Sequence, residues 1–361
     1  MFTNESIQLR NYFFNHMKFK NSIDFQNLYT TLNQIKIIPL VKKKIETISE
    51  KNVEIDISGG ADNIIQKSYL FSCTSLDIKL KKLNITLNIY SKETVSSYLI
   101  EELLKKIQFV CSLSEIKIQY LVINLYLIDQ KKKNTPKMKE FGPNEINSGM
   151  CQMGKITTIT IYREEELFKV LIHELIHALR YDHYRDSDQI IKHYQKKYNL
   201  SSNQINTNEA YTEIWANLIN CYLISQKVGR NQYNLFLILI ALEKEFAKYQ
   251  AEKIIYLSGM SEAKKIDINK TTNVLSYFII RYEIYERLNL FLKFCKKNNE
   301  NYIVLKDEKK WFDFLKKNYK VKKNNRRFNN INKKTYLFST MRMSLNEQDI
   351  YALTYTPSLL G

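Results

Sequence analysis

His173-Glu174-Leu175-Ile176-His177 is the stretch of this sequence whose residue types and spacing carry chemistry most directly. The apolar run around it scans as helix. On a helix, residues four apart stand one above the other on the same face. Two imidazoles so placed can bind one metal ion, and Glu174, one step round, can face a water on that metal. This is the chemistry of hydrolysis by a metal-activated water, with Glu174 as general base and zinc as the expected ion. Only five histidines occur in the chain, and two of them fall at this spacing. Structural histidines have no need of it.

A zinc ion with three protein ligands and one water requires a further residue. Two candidates compete. His183 completes the spacing H-E-x-x-H-x-x-G-x-x-H, but Arg180 stands where that pattern needs a glycine to turn the chain back, and a positive φ is costly for arginine. The second is Glu209, in Asn208-Glu209-Ala210-Tyr211-Thr212-Glu213, which scans as a helix start. Glu209 and Glu213 are four apart and share a face. Glu209 can ligate the metal, and Glu213 can accept from the free nitrogen of a ligand histidine, fixing its tautomer.

This second segment resembles the N-E-A-x-x-D motif of the gluzincin (thermolysin-like) peptidases. Thr212 stands at the aspartate position and Glu213 one beyond it. The resemblance implies a zinc metallopeptidase with His173, His177 and Glu209 as ligands, Glu174 as general base and Glu213 as supporting carboxylate. Residues 145 to 225, including Asn147-Ser148-Gly149 and Tyr162 to Val170, are also similar to uncharacterised metallopeptidase-like proteins of large DNA viruses. That likeness implies processing of virion or host proteins. The thermolysin class stabilises the oxyanion with a histidine well downstream of the glutamate ligand, and this chain has none after His193. Tyr277 and Arg281, four apart on an expected helix from Leu275 to Tyr285, are the candidates for that role.

Several elements must position these residues. Leu76 to Leu80 and Ile85 to Ile89 alternate apolar and polar residues, as strands do. Lys92 to Cys111 reads as an amphipathic helix, Lys117 to Ile128 as a central strand, Lys131 to Pro143 as an exposed basic loop and Ile156 to Tyr162 as a strand. Arg163-Glu164-Glu165-Glu166 is expected to open the metal helix, its acids favoured by the macrodipole. Residues 1 to about 50 have helical spacing, and nearly everything after Asn206 scans as helix. The expected fold is α+β and zincin-like: a mixed sheet over an active-site helix, closed by a helical lower half. The expected segments are 1–55, helical; 56–185, sheet and metal helix; and 186–361, helical with the third ligand. Asn147 to Met150 takes the place of the edge segment that pairs with extended substrate.

The chain has 361 residues, 44% of them hydrophobic, and a net charge of +18. Its Lys, Asn, Ile and Tyr are abundant, as an AT-rich genome would produce, and much of the lysine is scattered. The densest basic stretch, Lys316 to Lys334, interleaves Tyr319 and Phe328 and is the one candidate for polyanion contact. It leaves a non-catalytic, nucleic-acid-associated scaffold as the alternative reading, against which Glu174 argues; hydrolysis of another bond is a third. Cys73, Cys111, Cys151, Cys221 and Cys295 are isolated and odd in number, which points to an intracellular, reducing location. Cys151 is the one that could approach the zinc as a thiolate, though a plain buried cysteine is the expectation. No basic-then-apolar leader opens the sequence, and the longest apolar run, Leu235 to Leu242, is too short to span a bilayer.

Overall fold

The computed structural model describes residues 2–16, 25–49, 72–134, 141–182, 185–260, 267–269, 271–317, 319–322, 328–329 and 332–352. The molecule is mixed α and β. A six-stranded mixed sheet has the order β1-β2-β3-β4-β6-β5, with β1 Leu40–Ser49, β2 Ser72–Leu80, β3 Leu83–Ser91, β4 Tyr120–Tyr126, β5 Gly149–Gln152 and β6 Thr157–Ile161. Strands β3, β4 and β6 run parallel, while β1, β2 and β5 pair antiparallel to their neighbours.

Alternation sets the two faces. Leu76, Ile78, Leu80, Ile85, Leu87 and Ile89 are buried at 0–1% exposure. The opposite face carries a polar ladder, with Ser75 Oγ donating to Asn88 Oδ1 at 2.8 Å and Asn88 Nδ2 to Asn124 Oδ1 at 2.9 Å. A sheet apolar on one side needs helices there alone. Counting α1 Asn4–His16 and α2 Gln26–Asn33 from the N-terminus, α3 (Ser97–Cys111) is the crossover joining parallel β3 and β4. A single turn, α4 (Pro143–Ile146), leads into β5, and α5 (Leu167–Ala178) follows β6. All twelve residues of α5 are buried, as expected of a helix apolar nearly all round.

The second half is helical: α6 Asp188–Tyr198, α7 Thr207–Ser225, α8 Gln232–Ser258, a π-helical turn Leu275–Ile280 running into α9 Arg281–Glu286, then α10 Leu288–Asn298 and α11 Glu308–Leu315. One apolar cluster draws residues from Phe2 to Ile350.

Three expectations are corrected. The helical spacing of residues 1 to 50 holds only as far as Asn33; Leu40–Ser49 is an edge strand, with Val41 and Ile45 more than half exposed. Glu164 to Glu166 do not open the helix of His173 and His177. It begins at Leu167, and Glu166 caps it at φ 63° with a buried carboxylate. The Lys131–Pro143 stretch is not simply an exposed loop: Lys132 is 1% exposed and ion-paired to Glu166. Residues 135–140 lie outside the described residues.

Candidate metal centre

Helix α5 packs against α7, so the turn carrying His173 and His177 faces the first turns of α7 carrying Glu209 and Glu213. Three ligand atoms converge there. His177 Nε2 lies 3.0 Å from His173 Nε2, and Glu209 Oε2 lies 3.2 Å from the first and 3.3 Å from the second.

The other ring nitrogens explain why this triangle suits a cation. His173 Nδ1 stands 2.9 Å from Glu213 Oε2, and His177 Nδ1 2.6 Å from Asp182 Oδ2. With each Nδ1–H donated to its carboxylate, a neutral imidazole at either position turns its Nε2 lone pair toward Glu209. Two such lone pairs and a carboxylate oxygen directed at one point repel unless a proton or a metal ion joins them. Ligands at roughly 2.0–2.1 Å around a tetrahedral zinc are separated by about 3.3 Å, and the triangle has nearly that edge. Among the described residues, these three form the group whose ligand atoms lie close enough together to hold a metal ion.

Each ligand is braced from behind. Glu209 Oε1 accepts from Asn273 Nδ2 at 3.2 Å. Glu213 is fully buried and receives Lys169 Nζ at 2.7 Å and Arg281 Nη1 at 3.2 Å through Oε1, leaving Oε2 for His173. Burial opposes its charge, but Lys169, His173 and Arg281 hold its carboxyl well below the usual range.

Asp182, Asn273 and Lys169 were not legible as site residues. Asp182 depends on the end of α5. Arg180 adopts φ 59°, the conformation that steric reasoning disfavours for arginine. Tyr181 N bonds Ile176 O at 3.0 Å and Arg180 N bonds His177 O at 2.9 Å, a Schellman ending. The chain therefore does turn back at Arg180, and the residue this turn delivers to His177 is Asp182. Thr212, at the position the motif gives to an aspartate, donates to Asp182 at 3.0 Å. His183 lies outside the described residues. Removing the brace with Asp182→Ala is expected to weaken zinc binding about 10- to 100-fold. Competition against a chromophoric chelator checks this, and unchanged affinity would take Asp182 out of the site.

Glu174 lies on the sheet side of α5, against β5, which is the edge strand beside β6. A Cβ on Gly149 would stand 3.0 Å from Glu174 Oε1 and 3.1 Å from both Thr160 O and Val170 Cγ1. Glycine makes room for this approach; a larger residue would press on all three atoms, one of them backbone. Tyr277 borders a half-open cavity that Glu174, His173 and Gly149 also line, its ring 6.0 Å from that of His173. Burial, then the charges of Glu209 and Glu174, push its phenol well above the ordinary range, so it stays a donor. Arg281 is placed differently. It is fully buried, and Nη1 is bound to Glu213 and to the Met343 carbonyl. It positions Glu213 and does not face the cavity, which corrects its assignment as an oxyanion donor.

Cys151, on β5, is half-buried, and burial followed by the Glu174 charge raises its thiol to about 12. It is a neutral thiol beside the ligands and not one of the triangle. In the basic stretch, Phe328 is fully buried and stacked on Tyr256, so it is not a platform for a nucleic-acid base. Lys323, Arg326 and Arg327 lie outside the described residues.

No family model, curated protein or solved structure matches this chain. Among the described residues, no helix is long and apolar enough to cross a membrane.

Proposed function

We propose that this chain is a zinc-dependent peptidase of gluzincin type on a zincin-like fold. One observation carries the reading: the His173, His177 and Glu209 ligand atoms converge beside Glu174, and Glu174 lies against the edge strand at Gly149. A scaffold that only binds metal has no use for that carboxylate.

Zinc held by the triangle would supply Lewis acidity and lower the pKa of a bound water. The chain's own groups do the rest. An extended peptide adds to the outer edge of β5 and is held by main-chain hydrogen bonds. Glu174 takes the proton of the attacking water and passes it to the leaving amine. Tyr277, kept protonated, donates to the oxygen that gains charge. Glu213 and Asp182 hold the two imidazoles in the tautomer that ligates.

Chelation tests the proposal. Hydrolysis of a denatured protein substrate is expected to stop on treatment with a zinc chelator and to return with added zinc. Hydrolysis that persists in the metal-free protein would overturn it.

A further inference from the structure

The basic segment that follows α11 folds back onto α6. Val321 N donates to the Tyr198 hydroxyl at 2.9 Å, and Lys320 Nζ lies 5.6 Å from the centre of the Tyr198 ring. Further back on α6, the His193 ring meets Phe312 of α11 at 5.8 Å, and Lys316 Nζ covers that Phe312 ring at 4.6 Å. Lys192 and Lys196 are exposed on α6 beside His193 and Lys197, and stand about 6 Å apart along the helix axis. Two segments far apart in the chain therefore build one basic face, on which Lys192, Lys196, Lys316, Lys317, Lys320 and Lys322 are all exposed.

The charges on this face act on one another. Burial lowers the pKa of His193, and the Lys197 and Lys316 charges lower it further. Few acids offset them. Asp313 holds Lys316 at 2.8 Å and Asp188 stands at the start of α6, while Glu283, which holds Lys197 at 2.7 Å, is buried. Among the described residues, Lys192, Lys196, Lys317, Lys320 and Lys322 have no ion-pair partner. The exposed lysines near the β2–β3 turn are different, being interleaved with acids: Lys82 lies 3.8 Å from Glu115, and Glu300, held low first by Lys306, also feels Lys117.

An unneutralised array of lysines gains free energy by displacing the counterions of a polyanion. A membrane surface is the poorer match, because binding there needs an apolar face, and the large apolar side chain exposed on this face is Tyr319 alone. Tyr319 is 77% exposed and stands between Lys317 and Lys320. An aromatic ring raised among lysines can stack on an unpaired base while the lysines follow the phosphates. The bases of a duplex are already stacked on each other and offer that ring nothing. Lysines are point charges and not bidentate forks, so they hold phosphates without reading base edges. We propose that this face binds single-stranded nucleic acid independently of its sequence, with Tyr319 stacking on a base. This stands apart from the peptidase reading.

Fluorescence anisotropy of a labelled oligothymidylate about twenty nucleotides long, titrated with the full chain, tests the proposal. Six lysine contacts give a slope of about −4 for log affinity against log salt, a loss of roughly 10²- to 10³-fold between about 50 and 200 mM. Replacing Lys192, Lys196, Lys317 and Lys320 together by alanine is expected to weaken binding on the order of 100-fold at low salt and to reduce the slope by about 3. The control replaces Lys36, Lys79, Lys82 and Lys117, which are equally exposed; it removes the same charge and is expected to change affinity by less than about threefold. Tyr319→Ala is expected to cost about tenfold with the salt slope unchanged, and Tyr319→Trp to restore the affinity. Zinc content is expected to be that of wild type in every variant, which shows that each is folded. No binding at low salt would overturn the proposal. So would equal weakening in the control, which would mean that net charge alone attracts the strand. Unchanged affinity in Tyr319→Ala, or binding as tight to a duplex or to anionic vesicles, would overturn it as well.

Discussion

Glu174→Gln is expected to keep its zinc and to lose peptide hydrolysis by about 10²- to 10⁴-fold, the usual contribution of a positioned general base. Glutamine preserves the volume of a side chain that is 5% exposed and packed against Gly149, so the fold and the ligand triangle have no reason to change. What disappears is the ability to accept a proton and hand it on. Glu174 is not among the three converging ligand atoms, and zinc content is therefore expected to match wild type. A variant that holds zinc and still turns over at the wild-type rate would remove Glu174 from the reaction. It would favour a different base or a different chemistry.

The second large effect is on stability. Glu213→Ala removes the carboxylate that joins Lys169, Arg281 and His173, all of them buried. An ion pair in such a setting contributes little net stability when intact. Breaking it strands the partner charges in an apolar interior, at about 3–5 kcal/mol. Here two cations lose their partner at once, although Lys169 retains a weaker contact with Glu166 at 3.8 Å. Urea unfolding of the metal-free proteins is the suitable measurement, because it separates the charge effect from zinc linkage. A loss under about 1 kcal/mol would mean that water reaches the cluster, as it does at exposed pairs.

How much of this could be read from the residues varies with what fixed each position. Helix α5 was legible because twelve successive residues are buried and its two histidines repeat at the α-helical spacing. Glu209 and Glu213 were legible for the same reason, being four apart near the start of α7. The pairing of Tyr277 with Arg281 was misleading because it assumed an α-helix. Leu275–Ile280 is a π-helical turn, whose wider i→i+5 pattern ends the stacking of residues four apart. Tyr277 reaches the cavity, and Arg281 turns to Glu213. Asp182 was hidden behind a conformation that arginine rarely adopts, and nothing in the local sequence signals that Arg180 takes it. Strand β1 was missed because an edge strand with exposed Val41 and Ile45 lacks the one-sided burial that gives alternation its meaning. The buried role of Lys132 depends on Glu166, 34 positions away and itself held at positive φ. Such long-range pairings leave no periodic trace.

The zinc content of protein purified without chelator, with Glu209→Ala beside it, tests the central claim most directly. The account predicts about one zinc per chain in wild type, and its loss in Glu209→Ala while the variant stays folded by circular dichroism. Wild-type protein that carries no zinc and takes up none on addition would contradict it, as would a Glu209→Ala variant that binds zinc as tightly as wild type.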